Sequence, residues 1–243
     1  MNQIEKYKDK IVKDIKNIFK ENLISVFIFG SYARGDYVIK KSDINILIVR
    51  KRRDNNELIN ILSMLKKWKR KLNISTPLIL TEKEIKSSTD VFPMEYTDIK
   101  DFHILIYGKD IFKNLNISNK NLRLELENQI KSKLILLRRL FIENNKSKNR
   151  LKSILIQSLP SIIVILRNIL KLNRKKVTTD NNNLIEEVGR ITKIRVEIIK
   201  SLIDLKNDKE KNSKDVIELY KKLIEVMEKL SDYVDKFKVR GKK

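Results

Sequence analysis

Two runs of β-branched and aromatic residues constrain this chain more than anything else in it. Residues 23–29 (LISVFIF) and 44–49 (INILIV) are each short enough to be a buried strand, and the turn between them holds Gly30 and Gly35, two of the five glycines. Before them, Ile4, Tyr7, Ile11, Ile15 and Ile18 recur at helical spacing and predict an amphipathic helix over 3–21. After them, Leu58, Ile61, Leu62, Leu65 and Trp68 predict another over roughly 54–71, with Trp68 on its apolar stripe. Residues 74–81 read as a third strand, and Pro77 within it points to an edge position or a bulge. Thr81 and Glu84 have the spacing of a capping box, so a short helix should follow. Residues 91–97 read as a fourth strand. The first 117 residues are therefore expected to form an α/β domain around a mixed sheet of about four to five strands.

The rest of the chain offers no convincing strand. Leu122, Leu126, Ile130, Leu134, Leu137 and Phe141 step by three or four, and Val216, Leu219, Leu223, Val226, Leu230, Tyr233 and Phe237 do the same. Residues 151–172 are the most apolar stretch. The uncharged run between Lys152 and Arg167 is shorter than the ~20 residues a membrane span needs, and it carries Gln157, Ser158, Pro160 and Ser161. It reads as the central helix of a bundle, kinked or restarted at Pro160. A short helix over 184–188 should end at Gly189. The expected architecture is α+β: a domain over 1–117, then a bundle of about four to five helices over 118–243. The Asn-rich stretch 114–121 is the best boundary.

Composition narrows the chemistry. Cysteine is absent, which excludes disulfides, thiolate zinc and a cysteine nucleophile, and suits a reducing, cytoplasmic setting. The single histidine, His103, excludes any mechanism that needs two imidazoles, and it reads as structural. The N-terminus is charged and helix-patterned, with no apolar core of a signal peptide. The formal net charge of +23 favours anionic partners such as nucleotides or nucleic acid, although AT-biased codon usage accounts for the same lysines. The second half is the more basic: 31 basic against 16 acidic residues, where the first 117 hold 23 against 15. Lys131, Lys133, Arg138, Arg139, Lys146, Lys148, Arg150 and Lys152 are interrupted only by Glu143. A solvated face explains them at least as well as a nucleic-acid groove.

Residues 27–49 read FIFGSYARGDYVIKKSDINILIV. A Gly-Ser pair directly after a buried strand lets backbone N–H groups approach a phosphate with no Cβ in the way, and the Ser31 hydroxyl adds a donor. Asp43 opens the next strand. Asn45, two residues on, points to the same face, so two oxygens sit on one strand edge opposite the cradle. That is the arrangement a magnesium–nucleotide site requires.

This pattern resembles the nucleotidyltransferase fold of the DNA polymerase beta superfamily, and the Ser-Tyr-Ala-Arg-Gly and Ser-Asp extensions are most similar to its kanamycin-type and minimal branches. The resemblance is close over roughly 23–50; beyond that it rests on element order. It implies that Gly30 and Ser31 hold the β- and γ-phosphates of a nucleoside triphosphate, and that Asp43 binds Mg2+ or Mn2+. It further implies transfer of a nucleoside monophosphate, AMP most often, to a hydroxyl, with the helical half supplying the acceptor pocket. Arg34 is a candidate phosphate neighbour. Asn45 stands where the pattern has a second aspartate, so it can offer a metal one carbonyl oxygen and no charge. A third carboxylate is normally supplied by a later strand, and 74–81 has none. Glu95, read as mid-strand, is the substitute as metal ligand or as base for the acceptor's proton, while Asp98 and Asp101 read as a helix start. The altered site also admits a non-catalytic nucleotide- or nucleic-acid-binding module, or an antitoxin-like interaction protein that pairs with itself or another protein through the helical half.

Overall fold

The computed structural model describes residues 4–35, 37, 42–207 and 215–239, which form two compact units, 1–118 and 119–243.

The first unit is built on a four-stranded mixed sheet in the order β3-β2-β1-β4. β1 (Leu23–Phe29) and β2 (Asn45–Arg50) pair antiparallel, with Phe29 opposite Asn45. β4 (His103–Gly108) flanks β1 antiparallel, and β3 (Leu78–Thr81) runs parallel to β2 at the edge, just after Pro77. The strand periodicity of two sends alternate residues to opposite faces. On one face Val26, Ile28, Ile46 and Ile48 are buried with Ile11, Ile15 and Phe19 of α1 (Lys8–Phe19) and Ile61, Met64 and Trp68 of α3 (Asn55–Leu72). The Trp68 indole spends its N–H on Asp14, 2.9 Å away. On the other face Phe27, Leu47 and Val49 meet Ile85 of α4 (Glu82–Ser87) and Tyr96 and Ile99 of α5 (Pro93–Asp101). Asn45 belongs by parity to this second face, beyond Leu47 and Val49, and that is what aims it at α5.

Local chemistry sets the element ends. The Thr81 hydroxyl accepts from the Glu84 backbone N–H while the Glu84 carboxylate accepts from the Thr81 N–H, so the capping box forms as its spacing predicts. The far end of β2 is fixed to α3 by the buried Arg50–Glu57 pair at 2.9 Å. Such a pair contributes little net stability while intact, but removing one partner strands a buried charge at a cost of about 3–5 kcal/mol.

The expected fourth strand over 91–97 is a misreading. Those residues start α5, because Pro93 sits at its first position, where the missing N–H costs nothing. The fourth strand is β4, formed by the HILIYG run that follows α5. Gly108 ends it at φ +83, where a Cβ would lie 1.9 Å from the Ile24 carbonyl oxygen. Glu95 is thus a first-turn helix residue.

The second unit is all helix among its described residues. It comprises α6 (Asn119–Asn144), α7 (Lys148–Leu172), α8 (Asn181–Thr192), α9 (Ile198–Lys206) and α10 (Val216–Asp235). α7 is apolar and long enough to cross a membrane, yet Leu151, Leu155, Leu159, Ile162, Leu166 and Ile169 are all buried within the protein. It does not restart at Pro160. The helix runs on with that residue exposed, and the Ser158 and Ser161 hydroxyls bond to the Leu155 and Ser158 carbonyls around it. Nor does α8 stop at Gly189; it continues to Thr192 and is closed by Lys193 in the left-handed conformation. Of the eight cations noted above, Lys131, Arg138 and Arg139 have acidic partners in Glu127, Glu228 and Glu143, as a solvated face would.

Candidate active site at the end of the sheet

β1 ends in a backbone conformation that only glycine holds without strain. Gly30 has φ +76 and ψ −149, and a Cβ there would lie 2.5 Å from the Asn45 amide nitrogen. The chain then makes a single helical turn, α2 (Ser31–Arg34), in which the Arg34 N–H bonds back to the Gly30 carbonyl at 3.0 Å. The N–H groups that open such a turn have no acceptor within it and face whatever lies beyond. Residues 36 and 38–41 of the following loop lie outside the described residues. Next to Ser31, burial holds the Tyr32 phenol above its ordinary pKa, so it stays neutral.

A cavity of about 430 Å³ lies at this end of the sheet, lined by Gly30, Ser31, Arg34, Asp43, Asn45 and Glu95, with Asp98 beside them. This volume is within the ~300–1,000 Å³ of small-molecule sites. Every residue singled out from the sequence as a candidate site residue lines it. Asp98, assigned from sequence to a helix start, belongs there too: it sits three residues after Glu95, one helical turn along α5, and takes Arg34 in an ion pair at 2.7 Å. Reading 93–101 as a helix would have found it. His103 lies apart, with its Nδ1 2.7 Å from the Ile99 carbonyl and its ring edge-on to Phe27.

The opposite wall is held by two polar contacts that the sequence did not announce. The Asp43 carboxylate accepts from the Asn73 side-chain amide at 2.6 Å, where Asn73 closes α3 at φ 54. Asn45 Oδ1 accepts from the Ser75 hydroxyl at 2.9 Å. Ser75 is held in place by a parallel bridge between Ile44 and Ile74 and by its own N–H on the Ile44 carbonyl at 3.0 Å.

The polymerase beta nucleotidyltransferase family model matches residues 13–114, which span this whole sheet and cavity. A Methanocaldococcus jannaschii protein provisionally named a protein adenylyltransferase is 39% identical over 77 residues, 31% of this chain and 77% of that one. The chain belongs to the polymerase beta nucleotidyltransferases. Among solved structures, spectinomycin adenyltransferase AAD(9) from Enterococcus faecialis, crystallised with ATP and spectinomycin, matches at a TM-score of 0.56. That match covers 95% of this chain and 99% of that one at 14% identity, so it speaks for the fold.

Nucleotidyltransferases of this superfamily act on nucleotides with divalent metal, and the side chains lining the cavity are of the kind a hard cation takes. The donors are all oxygen, as such cations require. Among the described lining residues three carboxylates, Asp43, Glu95 and Asp98, face one guanidinium, Arg34, a balance in which a divalent ion would ease the approach of a triphosphate. Among the described residues no three of His, Cys, Asp and Glu converge as a ligand group, so a cation here would need oxygens of its ligand beside those of the protein. The strand neighbour that reaches Asn45 brings the Ser75 hydroxyl instead of a carboxylate.

Proposed function

We propose that this nucleotidyltransferase binds ATP with one magnesium ion in the cavity and transfers AMP to a hydroxyl group, at a rate lowered by its incomplete acidic set. The observation that carries the reading is the convergence of Gly30, Ser31, Arg34, Asp43 and Glu95 on one cavity at the end of β1. Both named relatives are adenylyltransferases by name, which supports AMP as the group transferred.

In this reading the opening N–H groups of α2 and the Ser31 hydroxyl hold the β- and γ-phosphates, and Arg34 sits beside them. Asp43 would hold the cation together with oxygens of the triphosphate and water, and the ion would supply charge neutralisation along the phosphates. Glu95 takes the acceptor's proton as the hydroxyl oxygen forms its bond to the α-phosphorus. The bond from that phosphorus to the bridging oxygen breaks, and its electron pair leaves with pyrophosphate. The neutral Asn45 amide supplies none of the charge that a second aspartate would bring, which is the reason for the lowered rate.

Binding without turnover is a second reading, favoured by the engagement of Asn45 with Ser75. Calorimetric titration with ATP in magnesium, beside Asp43→Ala, tests the shared part. Binding that weakens at least about tenfold in the variant is expected, and no heat in the parent protein sinks both readings. Pyrophosphate release with a protein or aminocyclitol acceptor then separates turnover from binding alone.

A further inference from the structure

The two ends of the Asn45 side chain have different neighbours. Its Oδ1 accepts from the Ser75 hydroxyl at 2.9 Å, and the Ser75 backbone is held beside it by its own N–H on the Ile44 carbonyl and by the neighbouring Ile44–Ile74 bridge. The same hydroxyl lies 3.4 Å from the Ile44 carbonyl, so its whole polar environment is the strand edge. With the carbonyl end fixed, the Nδ2 end must point the other way, toward Gly30, where it lies 2.5 Å from the position a Cβ would take. Among the described residues Nδ2 donates to no acceptor, although Asn45 lines the cavity. An amide nitrogen carries two donors and no usable lone pair, so it cannot ligate a metal; it can only meet an acceptor.

We infer that Asn45 is a phosphate-binding residue: its Nδ2–H groups extend the Gly30–Ser31 donors across the cavity, and the chain holds a single divalent cation with its nucleotide. The inference rests on the nucleotide reading above and changes the role that Asn45 has by position. An aspartate there would present a charged oxygen to a second cation and repel the phosphates. The asparagine, fixed by Ser75, presents N–H to them instead. A hydrogen bond to a charged acceptor is among the stronger kinds, and the residue is part-buried, where it counts for more than in water. Ser75 is then a positioning residue, since it selects which end of the amide faces the ligand.

The test is a Mn2+ titration followed by electron paramagnetic resonance, with the protein and a stoichiometric amount of non-hydrolysable α,β-methylene-ATP. One bound Mn2+ per chain is expected for the parent protein and two for Asn45→Asp. Two in the parent, or an unchanged single ion in Asn45→Asp, overturns the single-cation assignment. Calorimetry in saturating magnesium provides the second arm: Asn45→Ala should bind ATP about tenfold more weakly, whereas Ser75→Ala, which loses the same hydrogen bond, should lose only a few fold. An Asn45→Ala protein that keeps its ATP affinity overturns the donor role. If the parent binds no nucleotide at all, the nucleotidyltransferase reading fails as well. Two ions with intact ATP binding defeat only the present inference.

Discussion

The two walls of the cavity are made of different material. On the β1 side the groups proposed to meet the nucleotide are backbone N–H groups at the turn that follows Gly30. On the β2 side they are side chains, Asp43 and Asn45, each held by a neighbour from the segment after α3. A backbone wall survives almost any substitution that leaves its glycine alone. A side-chain wall can change its chemistry with one residue while its shape persists, and that is the change we infer for Asn45. The contrast shows where a chain could keep the frame of a nucleotidyltransferase while its metal chemistry changed.

The largest effect is expected on the backbone wall. Gly30→Ala places a methyl group 2.5 Å from Asn45 Nδ2 and forces a side chain into a backbone region that costs about 1–3 kcal/mol for any residue but glycine. The two walls would be pushed apart. Chemical denaturation should show a loss of at least that size, and ATP binding should fall below detection. A variant of parental stability and affinity would mean that Gly30 is not where the walls meet.

A smaller effect, opposite in sign for the ligand, is expected at the third side of the cavity. Asp98 holds Arg34 at 2.7 Å, with their side chains 20% and 13% exposed. Asp98→Asn removes one of the carboxylates that repel a triphosphate and leaves the guanidinium in place. Stability should drop by about 1 kcal/mol. Affinity for magnesium–ATP should rise severalfold at low salt and return toward the parental value as screening increases. Weaker binding would show instead that the ion pair positions Arg34 for the phosphates.

Much of this site could be read in advance because strand parity and the strand–Gly-Ser–turn–strand order are local properties. Runs 23–29 and 44–49 became β1 and β2 with at most a one-residue shift, and parity placed Asp43 and Asn45 on one face. What could not be read was nonlocal or masked by composition. Residues 91–97 are apolar enough to pass for a strand; Pro93 at a helix start and the β-branched run 103–108 just beyond it decide otherwise. Glu95 reached the cavity all the same, from a helix turn and not from a strand. The contacts of Asn73 and Ser75 span 30 residues and arise only once the end of α3 returns beside β2, so no spacing rule contains them.

Ser75 offers the finest way to separate the walls. Ser75→Ala removes one neutral hydrogen bond, a cost of about 0.5–1.5 kcal/mol, and adds no charge. Its consequence for the ligand should exceed what that cost suggests if, as inferred above, the hydroxyl sets which end of the Asn45 amide faces Gly30. Without it the amide can turn and show its carbonyl to the cavity, where phosphates repel it and a cation accepts it. ATP affinity should therefore fall by a few fold in magnesium, while Mn2+ binding in the presence of nucleotide strengthens. Those two changes run in opposite directions, which loss of folded protein cannot produce, since unfolding lowers both. If instead both fall together, or neither moves, the orientation of Asn45 is set by Gly30 and the strand alone, and the side-chain wall is as much a product of the backbone as the one facing it.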